Sequence, residues 1–315
     1  MRVFTSRECD EHRVPRGFPE RAERRDAVLR GARVVGDETV EVETGSIEID
    51  DAVAAVHPDG YLERLRRAVE RRDGLIDSAD TPLSPGTWRA ARAAVAVVLQ
   101  ALERAAEGEA CFAVVRPPGH HAEAETAMGF CYLNNVAVAA AQARNRWGCD
   151  RVAVIDLDVH HGNGTQHIFE RDPSIFYGST HQYPFYPGTG AASETGRGPG
   201  KGSTLNLPLP AGTGDPGYRE AIRGELLPAV RDFGPEVLLV SIGFDPWRRD
   251  PLGGMAVTEG GFRDWARWCR ELADEICGGR ILALLEGGYD LDSLEPLGRA
   301  FSEGLAGRSS GDRIP

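Results

Sequence analysis

The chain has 315 residues, 48 of them acidic and 36 basic, for a formal net charge of -12. That length buries a large core in one or two domains. The acidic balance excludes the basic stripe of a nucleic-acid-binding surface, and no apolar run reaches the roughly 18 residues of a membrane span. Six scattered cysteines (Cys9, Cys111, Cys131, Cys149, Cys269 and Cys277) form no C-x-x-C pair and read as reduced, mostly buried thiols. The N-terminal MRVFTSRECDEHR becomes charged within seven residues and lacks a signal-peptide core, so the expectation is a cytoplasmic protein.

In chain order the patterning predicts a strand at 1–6 and helices at 59–72 and 86–107, then a strand at 111–115 and a helix at 133–147. Strands at 152–156 and 175–179 follow, then a helix at 217–232, a strand at 237–243, a helix at 259–277, a strand at 281–287 and a helix at 291–305. Strands separated by helix-length segments predict an α/β fold, a parallel sheet with helices on both faces. The glycine-rich GTGAASETGRGPGKG, 188–202, reads as a long surface loop. Several strands run into polar or glycine-rich text: CFAVV into RPPGHH, VAVID into LDVHHGNG, VLLVSIG into FDPWRRDPLGG, ILALLEG into GY. Ligands of open α/β sheets bind beyond the carboxyl ends of the strands, so the chemistry collects along one sheet edge. These endings spread from 116 to 289, which favours a single domain over residues 1–315.

The densest ending is D-x-D-x-H-H-G. In an extended segment alternate residues point the same way, so Asp158 and His160 can face one ion while Val159 enters the core. Zinc takes oxygen and nitrogen ligands, and a catalytic site keeps three protein ligands and one open position. Asp245 follows another apolar strand, and Gly243 permits close approach, which makes Asp245 the candidate third ligand. Either aspartate alone would read as a helix cap; the cluster with a second strand-end aspartate reads as a metal site. The turn Arg116-Pro117-Pro118-Gly119 delivers His120 and His121 together, a pair suited to proton transfer near neutrality. Tyr289, after Gly287 and Gly288, can donate to a developing oxyanion, although alone it reads better as a structural tyrosine.

The stretches RPPGHHA, MGFCYLNNVAVAA, VIDLDVHHGNGTQ, STHQYPFYPGTG, GFDPWRRDPLGG and LEGGY, in this order, resemble the histone deacetylase and acetylpolyamine amidohydrolase superfamily, nearest its class II-like bacterial members. The resemblance covers about His57 to Leu291. It implies an arginase-like fold around a mainly parallel eight-stranded sheet, and metal-dependent hydrolysis of an acetyl amide. By position it implies Zn2+ on Asp158, His160 and Asp245, with Fe2+ or Co2+ as substitutes. His121 is then the general base, His120 its electrostatic neighbour, and Tyr289 the donor to the substrate carbonyl. Asp156 would orient His120, and Asn163 would hold His121. A structural K+ is implied at Asp156, Asp158, His160, Ser179 and Thr180. Phe130, Gly129 and Tyr186 match the walls of an acyl-lysine tunnel, and Asp80, more loosely aligned, a group that grips the substrate backbone.

Departures from the pattern carry information. Asn163 stands where class I members have aspartate, and a neutral amide holds His121 without raising its pKa. Leu252 replaces the gatekeeper glutamate of polyamine-selective relatives and favours acetyl-lysine or less charged substrates. Trp247 stands where many bacterial relatives have histidine, and is expected to alter the pocket rim. The leading expectation is a zinc-dependent deacetylase acting on acetyl-lysine in proteins or on small acetylated amines, with an acetylpolyamine amidohydrolase as the alternative. A non-catalytic acetyl-ligand binder fits less well, because Tyr289, His120 and His121 are all present. A dimanganese ureohydrolase would need more ligands than the one spare, Asp156. The resemblance also allows a homo-oligomer, although no segment identifies an interface.

Overall fold

A computed structural model describes residues 1–43, 45 and 47–307. Eight strands, all paired in parallel, make one sheet in the order β2-β1-β3-β8-β7-β4-β5-β6. They are β1 (Arg2–Thr5), β2 (Glu38–Glu41), β3 (Ala110–Ala113), β4 (Val152–Asp156), β5 (Ile175–Gln182), β6 (Thr204–Leu209), β7 (Val237–Ile242) and β8 (Ile281–Leu285). The helices are α1 (Ala22–Val35), α2 (Asp50–Ala54), α3 (Asp59–Arg71), α4 (Thr87–Ala106), α5 (Asn135–Trp147), α6 (Asn163–Phe169), α7 (Asp215–Arg219), α8 (Leu227–Phe233), α9 (Glu259–Ile276) and α10 (Leu291–Leu305).

Strand pleating divides the core in two. Val152 and Val154 of β4 face a cluster that includes Ala94, Val98 and Leu102 of α4 and Val136 and Ala140 of α5. Ala153 and Ile155 face the other side, with Val28 of α1, Trp265 and Leu272 of α9 and Phe301 of α10. Central strands buried on both faces explain their unbroken apolar text. The predicted helix 217–232 is interrupted: a π-helical turn over Glu220–Leu226 separates α7 from α8. Pro228, which has no N–H to give the carbonyl one turn back, sits at the start of α8 and accounts for the changed register.

The topology decides where the chemistry lies. Strands β3, β8, β7, β4 and β5 are consecutive neighbours, although their endings come from distant stretches of sequence. Parallel pairing puts all five carboxyl ends at one edge, and register sets Asp156 beside both Ser179 and Ser241.

Candidate metal centre and active site

Beyond β4 the chain leaves the sheet, and Asp158, Val159 and His160 cross the mouth of the strand. Val159 is fully buried in the core on the α1, α9 and α10 side, as the alternation requires. Asp158, His160 and Asp245 each offer one ligand atom, and these atoms all lie within 4.8 Å of one another. His160 Nδ1 lies 3.0 Å from Asp158 Oδ1 and 3.4 Å from Asp245 Oδ2. The inner carboxylate oxygens are braced by backbone donors: Val159 N–H to Asp245 Oδ1 at 3.0 Å and Gly287 N–H to Asp158 Oδ2 at 2.8 Å. Asp245 Oδ2 is buried and has no hydrogen-bond partner. A buried carboxylate oxygen without a donor is costly, and a divalent cation satisfies it. The donor set, two carboxylates and an imidazole, fits zinc and similar ions.

Two glycines make room for this pair of acids. A Cβ on Gly243 would stand 2.1 Å from Asp158 Oδ2, and one on Gly287 would stand 2.0 Å from Asp245 Oδ2. Any side chain at either position would displace a ligand. Burial alone would strip charge from His160, but the hydrogen bond to Asp158 and the nearby Asp245 carboxylate prevail and push it up to about 10. The site therefore demands positive charge.

The histidine turn after β3 comes down beside the trio. His120 Nδ1 lies 3.0 Å from Asp156 Oδ2, and His121 Nδ1 donates to Asn163 Oδ1 at 2.8 Å. The two imidazole centres are 4.0 Å apart, yet their electrostatics diverge. Burial opposes charge on His120, but Asp156 and Asp158 outweigh it and push it up to about 10. Burial, His120 and His160 together hold His121 well below the usual histidine range. The surroundings thus favour charge on one member and oppose it on the other, the separation of roles that acid–base chemistry uses.

Above these groups lies a pocket of about 260 Å³. His121, His160 and Tyr289 form its polar floor; Gly129, Phe130, Phe185, Tyr186 and Leu252 wall it, and Asp80 stands at its mouth. Phe185 stacks on His160 at 5.4 Å, and Tyr186 meets His121 edge-on at 5.2 Å. The Tyr186 hydroxyl donates to Asp80 Oδ2 at 3.1 Å. Phe130 is held at φ 68, a left-handed conformation rare outside glycine, and packs its ring 5.8 Å from that of Tyr289. Burial pushes the Tyr289 phenol well above its ordinary pKa, so it remains a donor. A larger hollow of about 430 Å³ among Asp50, Glu63, Trp88 and Arg92 holds no comparable convergence of groups.

The three candidate ligands, the histidine pair, Tyr289 and the expected wall residues stand together here, while Ser179 lies beside Asp156 in the sheet with its hydroxyl 2.9 Å from His181 Nδ1. Trp247 is not among the residues that line the pocket; its indole donates to Asp290 Oδ2 at 3.0 Å. Four contributors escaped the sequence reading. Phe185 stands beside the chosen Tyr186. Glu286, fully buried, accepts from Gly119 N–H at 2.7 Å, His120 N–H at 3.2 Å and the Ser241 hydroxyl at 3.0 Å. It holds the histidine turn in place, and its one visible signal was an acid at the end of an apolar strand. Asp250 Oδ2 accepts the backbone N–H of Tyr289 at 2.6 Å. Arg24 of α1 reaches the carbonyls of Glu286 and Gly288 and lies 4.6 Å from the Tyr289 ring centre.

Residues 18–305 match the histone deacetylase domain family. The chain belongs to this family. Within this histone deacetylase family, it is 43% identical over 271 residues to the protein named histone deacetylase 10, chloroplastic, of Oryza sativa subsp. japonica. That match covers 82% of the chain but 61% of the rice protein, so the chain spans about three-fifths of that relative's length. It is 39% identical over 269 residues to the histone deacetylase-like amidohydrolase of Pseudomonas aeruginosa, covering 84% of this chain and 70% of the other. The crystal structure of an acetylpolyamine aminohydrolase from Burkholderia pseudomallei superposes with a TM-score of 0.85 at 32% identity, over 98% of this chain and all of that one. The all-parallel eight-stranded sheet is therefore the deacetylase and arginase-like fold. Among the described residues no helix is long and apolar enough to cross a membrane.

Proposed function

We propose that the chain is a metal-dependent deacetylase, hydrolysing the acetyl amide of lysine side chains in proteins or of small acetylated amines. The observation that carries this reading is the convergence of His121, His160 and Tyr289 on the floor of one aromatic-walled pocket, above the unpartnered Asp245 Oδ2. Asp158, His160 and Asp245 would hold the ion, with zinc favoured by the donor set and Fe2+ or Co2+ acceptable to it. A bound divalent ion supplies Lewis acidity, which polarises the acetyl carbonyl and lets water ionise near neutrality.

The side chains do the rest. His121 enters neutral, with Nδ1–H fixed on Asn163, so Nε2 takes a proton from water as its oxygen bonds to the acetyl carbon. Tyr289 donates its phenolic hydrogen bond to the carbonyl oxygen as that atom gains charge. The proton then passes from His121 to the amine nitrogen as the C–N bond breaks, and the second proton of the water follows on release, giving acetate and an ammonium. His120, held charged by Asp156, keeps His121 from being protonated too early. The register of Asp156 with Ser179, whose side chains share one face of the sheet, supports a potassium ion there with Asp158, His160 and Thr180 as further contributors.

Between the two substrate classes, Leu252 in the pocket wall favours acetyl-lysine, because it offers no counter-charge to a distant ammonium. Steady-state hydrolysis of an acetyl-lysine peptide and of N-acetylated polyamines by zinc-loaded protein tests this. Faster turnover of the peptide is expected. Faster turnover of the polyamine would assign the protein to the amidohydrolase branch, and turnover of neither would refute both.

A further inference from the structure

The turn that follows the candidate ligand Asp245 grips the segment carrying Tyr289 at two points. Asp250 Oδ2 accepts the N–H of Tyr289 at 2.6 Å and of Asp290 at 3.2 Å, while Asp250 Oδ1 accepts from Leu252 at 2.9 Å. The second grip is Trp247, whose Nε1–H donates to Asp290 Oδ2. Asp290 occupies the N-cap of α10, where an aspartate ordinarily accepts N–H groups of the first turn. Here its carboxylate makes no such capping bond. Its Oδ2 takes the indole and the Ser293 hydroxyl instead, with Arg249 Nε 3.4 Å away.

The indole itself is tightly held. It is 7% exposed, and the guanidinium centres of Arg248 and Arg249 lie 5.1 and 5.6 Å from its ring centre. An indole has one donor and no acceptor, so at this position it serves only an acceptor such as Asp290. Trp247 is two residues from Asp245 in the chain, and Asp290 is next to Tyr289. The bond therefore spans from the metal-ligand turn to the phenol-bearing turn without entering the pocket.

We infer that Trp247 is a positioning residue: through Asp290 it sets the Tyr289 phenol at a fixed place relative to the metal ligands. This rests on the reading of Tyr289 as the donor to the carbonyl oxygen. The test is a double-mutant cycle on the zinc-loaded protein with the acetyl-lysine peptide. Trp247→Phe keeps an aromatic ring and removes the N–H. It is expected to lower kcat about tenfold, the rate equivalent of one lost positioning hydrogen bond, with KM and zinc content unchanged. In a Tyr289→Phe background the same change is expected to cost less than about twofold, because the group it positions is gone. Asp290→Ala should copy Trp247→Phe, and Asp290→Asn, which keeps an acceptor oxygen, should retain most of the turnover.

Equal losses in both backgrounds would overturn the inference, as would a loss confined to KM or zinc content. Should Trp247→Phe fail to fold, Asp290→Ala in the two backgrounds decides the matter alone. An unchanged kcat in Tyr289→Phe itself would instead overturn the role given to that phenol, and this inference with it.

Discussion

Lowering the pH should unlatch the loop behind the candidate base through His57, at the start of α3. His57 is fully buried; its Nδ1–H donates to the carbonyl of Ala124 at 3.0 Å, and its Nε2 accepts the N–H of Asn134 at 2.9 Å. The second bond requires a neutral ring, because a protonated Nε2 cannot accept. Burial lowers its pKa from an ordinary 6.5 to about 4. The unfolded chain therefore binds a proton that the fold refuses as pH drops below 6.5, so this contribution is complete above 6.5 and is lost between there and about 4. At pH 5 the linkage amounts to about 2 kcal/mol, on the order of 3 kcal/mol at its limit. The assay is urea unfolding of wild type and His57→Gln at pH 7 and pH 5. His12, depressed to about 4 by burial and by Arg116, is common to both proteins and cancels. The stability advantage of wild type should shrink by about 2 kcal/mol at the lower pH. An advantage that stays constant would show that His57 does not titrate as its surroundings require.

Asp158→Ala and Asp245→Ala should each lose bound metal and hydrolysis together; full activity in either would refute the ligand set. Tyr289→Phe should keep its metal yet lose roughly 10²–10³-fold in kcat, as expected for one oxyanion donor, and an unchanged rate would place that donor elsewhere. Gly287→Ala should weaken metal binding while leaving the substrate pocket intact, since the added Cβ would stand 2.0 Å from Asp245 Oδ2. Equilibrium metal titration checks this, and wild-type affinity would mean that the carboxylates can yield.

Much of this arrangement is written in the residues themselves. Strands β3, β4, β7 and β8 lie in the sheet interior and are buried throughout, so their text is continuous and apolar. The edge strands escaped notice for the opposite reason. ETVE of β2 is half exposed, and TLNLPL of β6 is interrupted by polar Asn206 and by Pro208, the latter tolerable only where one side of the strand is free of a partner. Charges at strand mouths made the metal trio and the two histidines legible. Asp250 and Glu286 were not, because a single acid beside glycines looks like a cap until the backbone N–H groups it receives are seen. Arg24 was out of reach: its partners, Glu286 and Gly288, are more than 260 residues away, and nothing in the helix text of α1 announces them.

The sheet divides labour in a way that bears on how such a protein can change. Asp158, His160, Asp245 and the two histidines hang from strand ends locked in the core, whereas Phe130, Phe185, Tyr186, Leu252 and Asp80 ride on connecting segments outside it. Replacing a wall residue alters what is admitted without loosening a ligand, since the two sets share few bonds beyond ring contacts. Under the proposed deacetylase reading, what is cut and how it is cut are thus mechanically separable, and the admitted acyl amine can drift while the floor of the pocket stays as it is.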